Sequence, residues 1–160
     1  MTKNAIYPGT FDPVTYGHLD VIRRASALFG KVYVAVAEST EKVPLFKTSE
    51  RVKMIKEAIS EFNNVEVEAF DGLVVDYADS KSAKVVIRGL RMISDFEYEF
   101  QMALTNRKLR PDVETVFLMP NETYSYLSSK LIKEIATLGA DVSKFVPKNV
   151  VKKLREKRGI

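Results

Sequence analysis

The sequence has no cysteine. Disulfides, thiolate nucleophiles and cysteine-ligated metal centres are excluded, and a cytoplasmic setting is the expectation. A single histidine argues against a zinc site. No run of about 18 apolar residues occurs, so no membrane-spanning helix is expected. The first residues lead straight into strand-like sequence, without the layout of a signal peptide. Repeats, low-complexity segments, a Walker loop and a Ser/His/Asp spacing are missing as well, and no carboxylate cluster offers to hold two metals. Chemistry that needs little proton transfer is what remains.

What is present is a chain of 160 residues, 46% hydrophobic, with a net charge of +4. That is enough for one full core, and a single domain over 1–160 is expected. Much of the basic excess falls on Lys148, Lys152, Lys153, Arg155, Lys157 and Arg158, in a C-terminal helix expected over about 147–158 and opened by Pro147. Cations suit a helix C-terminus. Glutamates interleave with basic residues elsewhere, so no nucleic-acid partner is expected.

Five segments read as strands. Ala5-Ile6-Tyr7 ends the first, Val32 to Ala37 is a continuous β-branched run, and Val65 to Phe70 alternates with period two. Lys84 to Arg88 and Val113 to Met119 complete the set. Helical spacing separates them: Ile22, Ala25 and Phe29; Val52, Ile55, Ile59 and Phe62, capped by Thr48 or Ser49; Phe96, Phe100, Ala103 and Leu104, opened by a capping box at Ser94-Asp95-Phe96-Glu97. Gly139 suits the residue just beyond a helix over Leu131 to Leu138. The alternation predicts a Rossmann-like, doubly wound five-stranded parallel sheet with helices on both faces.

The first loop holds the densest signal: Tyr7-Pro8-Gly9-Thr10-Phe11-Asp12-Pro13-Val14-Thr15-Tyr16-Gly17-His18. Proline and glycine punctuate a turn, and Thr15 caps a helix whose N-terminus suits a phosphate, with His18 in its first turn. The pattern G-T-F-D-P-x-T-x-G-H resembles the signature of the nucleotidyltransferase superfamily. Lys42 follows the second strand, Arg88 and Arg91 the fourth, and Ser128 to Lys130 the fifth. In an open parallel sheet, ligands bind at these strand ends. Cations and helix N-termini around one crevice suit a nucleoside triphosphate. Attack by a phosphate monoester on an α-phosphorus fits the missing acid–base groups, because that nucleophile is already anionic at neutral pH.

Ile87-Arg88-Gly89-Leu90-Arg91, with Asp95-Phe96-Glu97-Tyr98-Glu99, resembles the bacterial phosphopantetheine adenylyltransferases. Val116 to Pro120 and Tyr124-Ser125-Tyr126-Leu127-Ser128-Ser129 agree. The resemblance implies that MgATP and 4′-phosphopantetheine give dephospho-coenzyme A and pyrophosphate, with no protein metal ligand. It implies that His18 stabilises the α-phosphate in the transition state, helped by Thr10 and Lys42, and that Thr10 contacts both substrates. Lys42 and Arg88 are then expected at the acceptor phosphate. Arg91, Ser128 and Ser129 fall at the β- and γ-phosphates. Phe11, Gly89, Leu90 and the run from Tyr124 through Ser125, Tyr126 and Leu127 fall along the adenosine, with Glu99 fixing the nucleotide. Leu73, Val74, Met102 and Asn106 would line the pantetheine arm, although core packing explains Leu73 and Val74 equally well. A homohexamer and coenzyme A as feedback ligand are implied too. Lys130 stands where the family usually has a third serine, adding charge near the triphosphate, and Gly72 where a side chain is common. A sister enzyme using CTP or nicotinamide mononucleotide, and a non-catalytic nucleotide sensor, are the competing expectations.

Overall fold

The computed structural model describes residues 3–38 and 43–159. Five strands, β1 (Asn4–Gly9), β2 (Lys31–Ala37), β3 (Val65–Phe70), β4 (Val85–Gly89) and β5 (Glu114–Leu118), form one sheet in the order β3-β2-β1-β4-β5. Every pairing is parallel. Helices α1 (Tyr16–Leu28), α2 (Thr48–Ala58), α3 (Val74–Ser80), α4 (Ile93–Leu109), α5 (Ser129–Thr137) and α6 (Lys148–Arg158) connect and cover it.

Period-two alternation sorts the strand residues between two cores. Ala5, Tyr7, Val32, Val34, Val36, Val85 and Ile87 pack on one face with Ile22, Met54, Ile55, Ile132 and Leu154. Ile6 and Val86 point the other way, against Val75, Ala78 and Val113. The doubly wound expectation is met. Beyond α5, Gly139 takes φ 92; its N–H donates to the Ala136 carbonyl and the Ala140 N–H to that of Ile135, closing the helix as a Schellman turn. The basic helix α6 buries Val150 and Leu154, and the Lys157 ammonium lies 5.6 Å from the Phe46 ring centroid.

Several local expectations shift. β1 runs on through Pro8 and Gly9 instead of turning there. α2 begins at Thr48 after an N-cap at Lys47 and ends at Ala58, so Ile59 and Phe62 fall in the following turn. α4 begins at Ile93 after Met92, with the Asp95 carboxylate accepting from the Arg91 and Met92 N–H groups. The capping carboxylate is therefore Asp95, and Ser94 and Glu97 lie inside the helix. The α4 face carrying Phe96, Phe100 and Leu104 is exposed rather than packed on the sheet. Only Glu99 in this helix is buried.

Asp20 joins α1 to the exit of β5. Its carboxylate, 5% exposed, accepts from Arg24 Nε at 2.8 Å, from the Asn121 N–H at 2.8 Å and from Arg23. Burial alone would raise its pKa; the donors from Arg24, Asn121 and Arg23 outweigh that and hold it below the usual 3.8. A depressed carboxyl pKa contributes stability above the unfolded value that is lost as pH falls through the folded one. Asp20→Ala is expected to cost about 1–3 kcal/mol at pH 7. In urea titrations its deficit against the native chain should narrow below about pH 4.

Candidate active site

β1 and β4 flank the point where the strand order reverses, the place where open α/β sheets bind ligands. Their ladder is short. Only Ala5↔Val85 and Ile6↔Val86 pair, whereas β1 and β2 pair from Asn4↔Lys31 to Gly9↔Val36. Pro8 has no N–H to offer β4, and its carbonyl accepts from Arg88 Nη1 at 2.9 Å. Past this point the two strands separate around a crevice of about 600 Å³.

His18 faces this crevice from the first turn of α1. Thr15 is the N-cap: its hydroxyl accepts from the His18 N–H, and its own N–H donates to His18 Nδ1 at 3.0 Å. The pair is a capping box with histidine where glutamate is usual, and it gives the T-x-G-H spacing a physical reason. Because Nδ1 accepts, the proton of the neutral ring sits on Nε2. Burial pushes the His18 pKa down to about 3, and the Arg91 and Arg88 guanidiniums push the same way. The ring is therefore a neutral N–H donor at physiological pH.

The preceding turn is closely packed. Phe11 has φ 50, a left-handed conformation that is costly for a residue with a side chain. Its ring is buried edge-on between Tyr7, at 5.3 Å, and His18, at 5.0 Å. A Cβ at Gly9 would lie 3.0 Å from that ring, so any side chain there would have to displace it. The Asp12 carboxylate accepts from the Leu45 N–H at 2.8 Å, the Phe46 N–H at 2.9 Å and Lys133 Nζ at 2.9 Å.

Cations line the other walls, and the carboxylates among them are engaged. Arg88 makes a two-pronged pair with Glu99, at 2.8 and 2.6 Å; burial would lower the arginine's pKa, but the Glu99 carboxylate raises it. Arg91 donates to the Leu127 carbonyl at 2.6 Å and lies 3.4 Å from Asp95. Ser128 caps α5 by accepting from the Leu131 N–H at 3.0 Å, and the Ser129 hydroxyl donates to the Pro13 carbonyl at 2.7 Å. The exposed Lys130 and half-buried Lys133 complete the α5 side of the lining. With its unpaired N-terminal amides, this wall suits a polyphosphate.

The crevice thus brings together Thr10, Phe11, His18, Arg88, Gly89, Arg91, Glu99, Leu127, Ser128, Ser129 and Lys130. Lys42 lies outside the described residues, although Val43 and Pro44, just after it, line the opening. Leu90, Tyr124, Ser125 and Tyr126 are not part of the lining; the Leu90 N–H prolongs the β4–β5 ladder to the Leu118 carbonyl. Leu73, Val74, Met102 and Asn106 also stand apart from it. Leu73 is exposed, and Val74 packs against the smaller core. Lys133 was not anticipated. Its signal was its place on α5, one turn beyond Ser129.

The chain matches the cytidylyltransferase-like family over residues 6–135. It is 55% identical to a phosphopantetheine adenylyltransferase of Alkaliphilus metalliredigens, covering 97% of this chain and 99% of that one. A namesake from Caldanaerobacter subterraneus subsp. tengcongensis is 57% identical, over 96% of each chain. The enzyme of that name in Aromatoleum aromaticum reaches 58%, over 96% of this chain and 94% of its own. A solved structure described as a putative nicotinate-nucleotide adenylyltransferase from Vibrio parahaemolyticus superposes with a TM-score of 0.73, covering 100% of this chain and 98% of that one. At 18% identity that likeness speaks for the fold alone. More than half of the positions match those of the named relatives over nearly the full length of each, and the chain belongs to the phosphopantetheine adenylyltransferase family.

Proposed function

We propose that the crevice transfers AMP from MgATP to 4′-phosphopantetheine, giving dephospho-coenzyme A and pyrophosphate. The observation that carries this reading is His18, fixed by Thr15 as a neutral Nε2–H donor and facing a crevice lined by Arg88, Arg91, Lys130 and Lys133. The acceptor's phosphate oxygen forms a bond to the α-phosphorus while the bond to the bridging oxygen of pyrophosphate breaks. The acceptor phosphate is largely dianionic above its second pKa of about 6, so no general base is needed. His18 donates to a non-bridging α-phosphate oxygen as charge gathers there. Arg91, Lys130, Lys133 and the start of α5 neutralise the departing pyrophosphate. Arg88, with Lys42 and Thr10, holds the acceptor phosphate.

Glu99 acts in this reading as the counter-ion that orients Arg88. The carboxylates lining the crevice each face a cation, Asp12 with Lys133, Asp95 with Arg91 and Glu99 with Arg88. Among the described residues no cluster of three acidic or imidazole groups could hold a metal. Magnesium accordingly enters as part of the nucleotide substrate, bound to its phosphates. Coenzyme A carries both an adenine nucleotide and the pantetheine arm, which supports its occupying this crevice as a feedback ligand. Among the described residues no helix is long and apolar enough to cross a membrane, and we place the reaction in the cytoplasm.

The exposed apolar side chains of α4, among them Ile93, Phe96, Phe100 and Leu104, support burial between copies of the chain in a homohexamer. Sedimentation should give a hexameric mass for the native protein and a smaller species for Phe96→Glu.

Incubation with MgATP should release pyrophosphate with 4′-phosphopantetheine and not with nicotinamide mononucleotide; turnover with the latter alone would overturn the reading. His18→Ala should lower kcat by about 10²–10³ with little change in ATP affinity. Because His18 stays neutral far below neutrality, the acid limb of kcat/KM should follow the acceptor phosphate near pH 6. The same limb should persist in the residual activity of His18→Ala.

A further inference from the structure

Among the described residues Arg51 is the largest fully buried side chain, and the mechanism above does not use it. Among the described residues no carboxylate lies within ion-pairing distance of its guanidinium, and the Asp12 and Glu38 carboxylates only partly offset the lowering of its pKa by burial. Its hydrogen bonds go elsewhere. Nη1 donates to the Thr10 carbonyl at 2.7 Å and the Ala37 carbonyl at 2.9 Å. Nε donates to the Phe46 carbonyl at 3.0 Å, and Nη2 to the Thr48 hydroxyl at 2.9 Å.

Those acceptors have a pattern. The β1–β2 ladder ends at Gly9↔Val36; Thr10 follows directly after β1, and Ala37 is the last residue of β2. Arg51 Nη1 therefore supplies the rung that the ladder lacks. Phe46 is the far end of the connection that leaves β2 at Ala37, so one side chain holds both ends of that connection and the signature loop together. Asp12 grips in the opposite sense, its carboxylate in the first loop accepting from the Leu45 and Phe46 N–H groups. If filling space were the only need, an apolar side chain of similar volume would avoid desolvating a charge. A planar fork with five fixed donors is suited to holding several carbonyls in one geometry.

We propose that Arg51 is a positioning residue for adenylyl transfer, setting the Thr10–His18 loop against the β2–α2 connection so that acceptor phosphate and α-phosphate meet in line. This rests on the function proposed above. ATP is held chiefly by Arg91 and the start of α5, which Arg51 does not touch, so its loss should fall on the acceptor side and on kcat. Misplacement of reacting groups by about 1 Å can cost on the order of a hundredfold in rate.

The test compares Arg51→Lys and Thr48→Val with the native full-length protein by steady-state kinetics in both substrates, alongside circular dichroism and thermal melts. Arg51→Lys, folded by those criteria, should lose about tenfold to a hundredfold in kcat. Its KM for 4′-phosphopantetheine should rise several-fold while its KM for ATP stays within about twofold. A purely structural role would lower the melting temperature and leave both KM values unchanged. Folded Arg51→Lys with native kcat and acceptor KM overturns the proposal. If Arg51→Lys does not fold, Thr48→Val decides. A threefold or greater shift in kcat or acceptor KM supports the proposal, and native values overturn it. If the native protein turned over only a different acceptor, the function above would fail, and the same comparison with that acceptor would still judge Arg51.

Discussion

A carbonyl at the buried end of a strand must find a donor, and β1 reaches its C-terminal end with too few. Toward β4 the ladder stops after Ile6↔Val86, and Arg88 takes up the Pro8 carbonyl. Toward β2 it stops at Gly9↔Val36, and Arg51 takes up Thr10 and Ala37. Two guanidiniums thus replace backbone pairing on the two sides of the central strand. The strands separate to open the crevice without leaving those acceptors bare in low dielectric. Arg88 does this at the crevice wall, and Arg51 beneath the loops.

The same economy governs the imidazole. Closely placed positive charge attracts phosphates, and it would also repel a protonated histidine. Burial and the two crevice arginines settle the conflict by keeping His18 neutral, and the Thr15 N–H settles which nitrogen carries the proton. One capping interaction fixes the helix start, the ring's orientation and its tautomer. In the function proposed above, such a donor would need no reorganisation as charge develops, which is the condition under which such groups contribute most.

Much of this was legible in the sequence. A short apolar run marked the first strand, a β-branched run the second and period-two alternation the third, and the order of all five strands with the intervening helices specified a parallel sheet wound on both faces. The Gly9-to-His18 signature and the arginines after the fourth strand located the crevice. Its supporting partners were not legible, because they are distant in the chain. Asp12 meets Leu45 and Phe46 more than thirty positions away and Lys133 across 121. Arg51, within Ser49-Glu50-Arg51-Val52-Lys53, reads as one more solvated helix charge. The α4 start shifted because Asp95 competes with Glu97 for the capping role, and local spacing does not separate them. Helical periodicity identified the apolar face of α4 but carries no information on whether that face meets its own sheet.

That face has a consequence for the crevice. Glu99, the buried residue of α4, is the carboxylate that steers Arg88, yet the helix around it gains little from packing within its own chain. In the hexamer proposed above, the surface covering α4 would also stiffen the anion behind the arginine. In that assembly, the catalytic competence of one crevice would depend on the company its helix keeps, and dilution would act on the chemistry through a buried carboxylate whose partner, Arg88, lines the crevice.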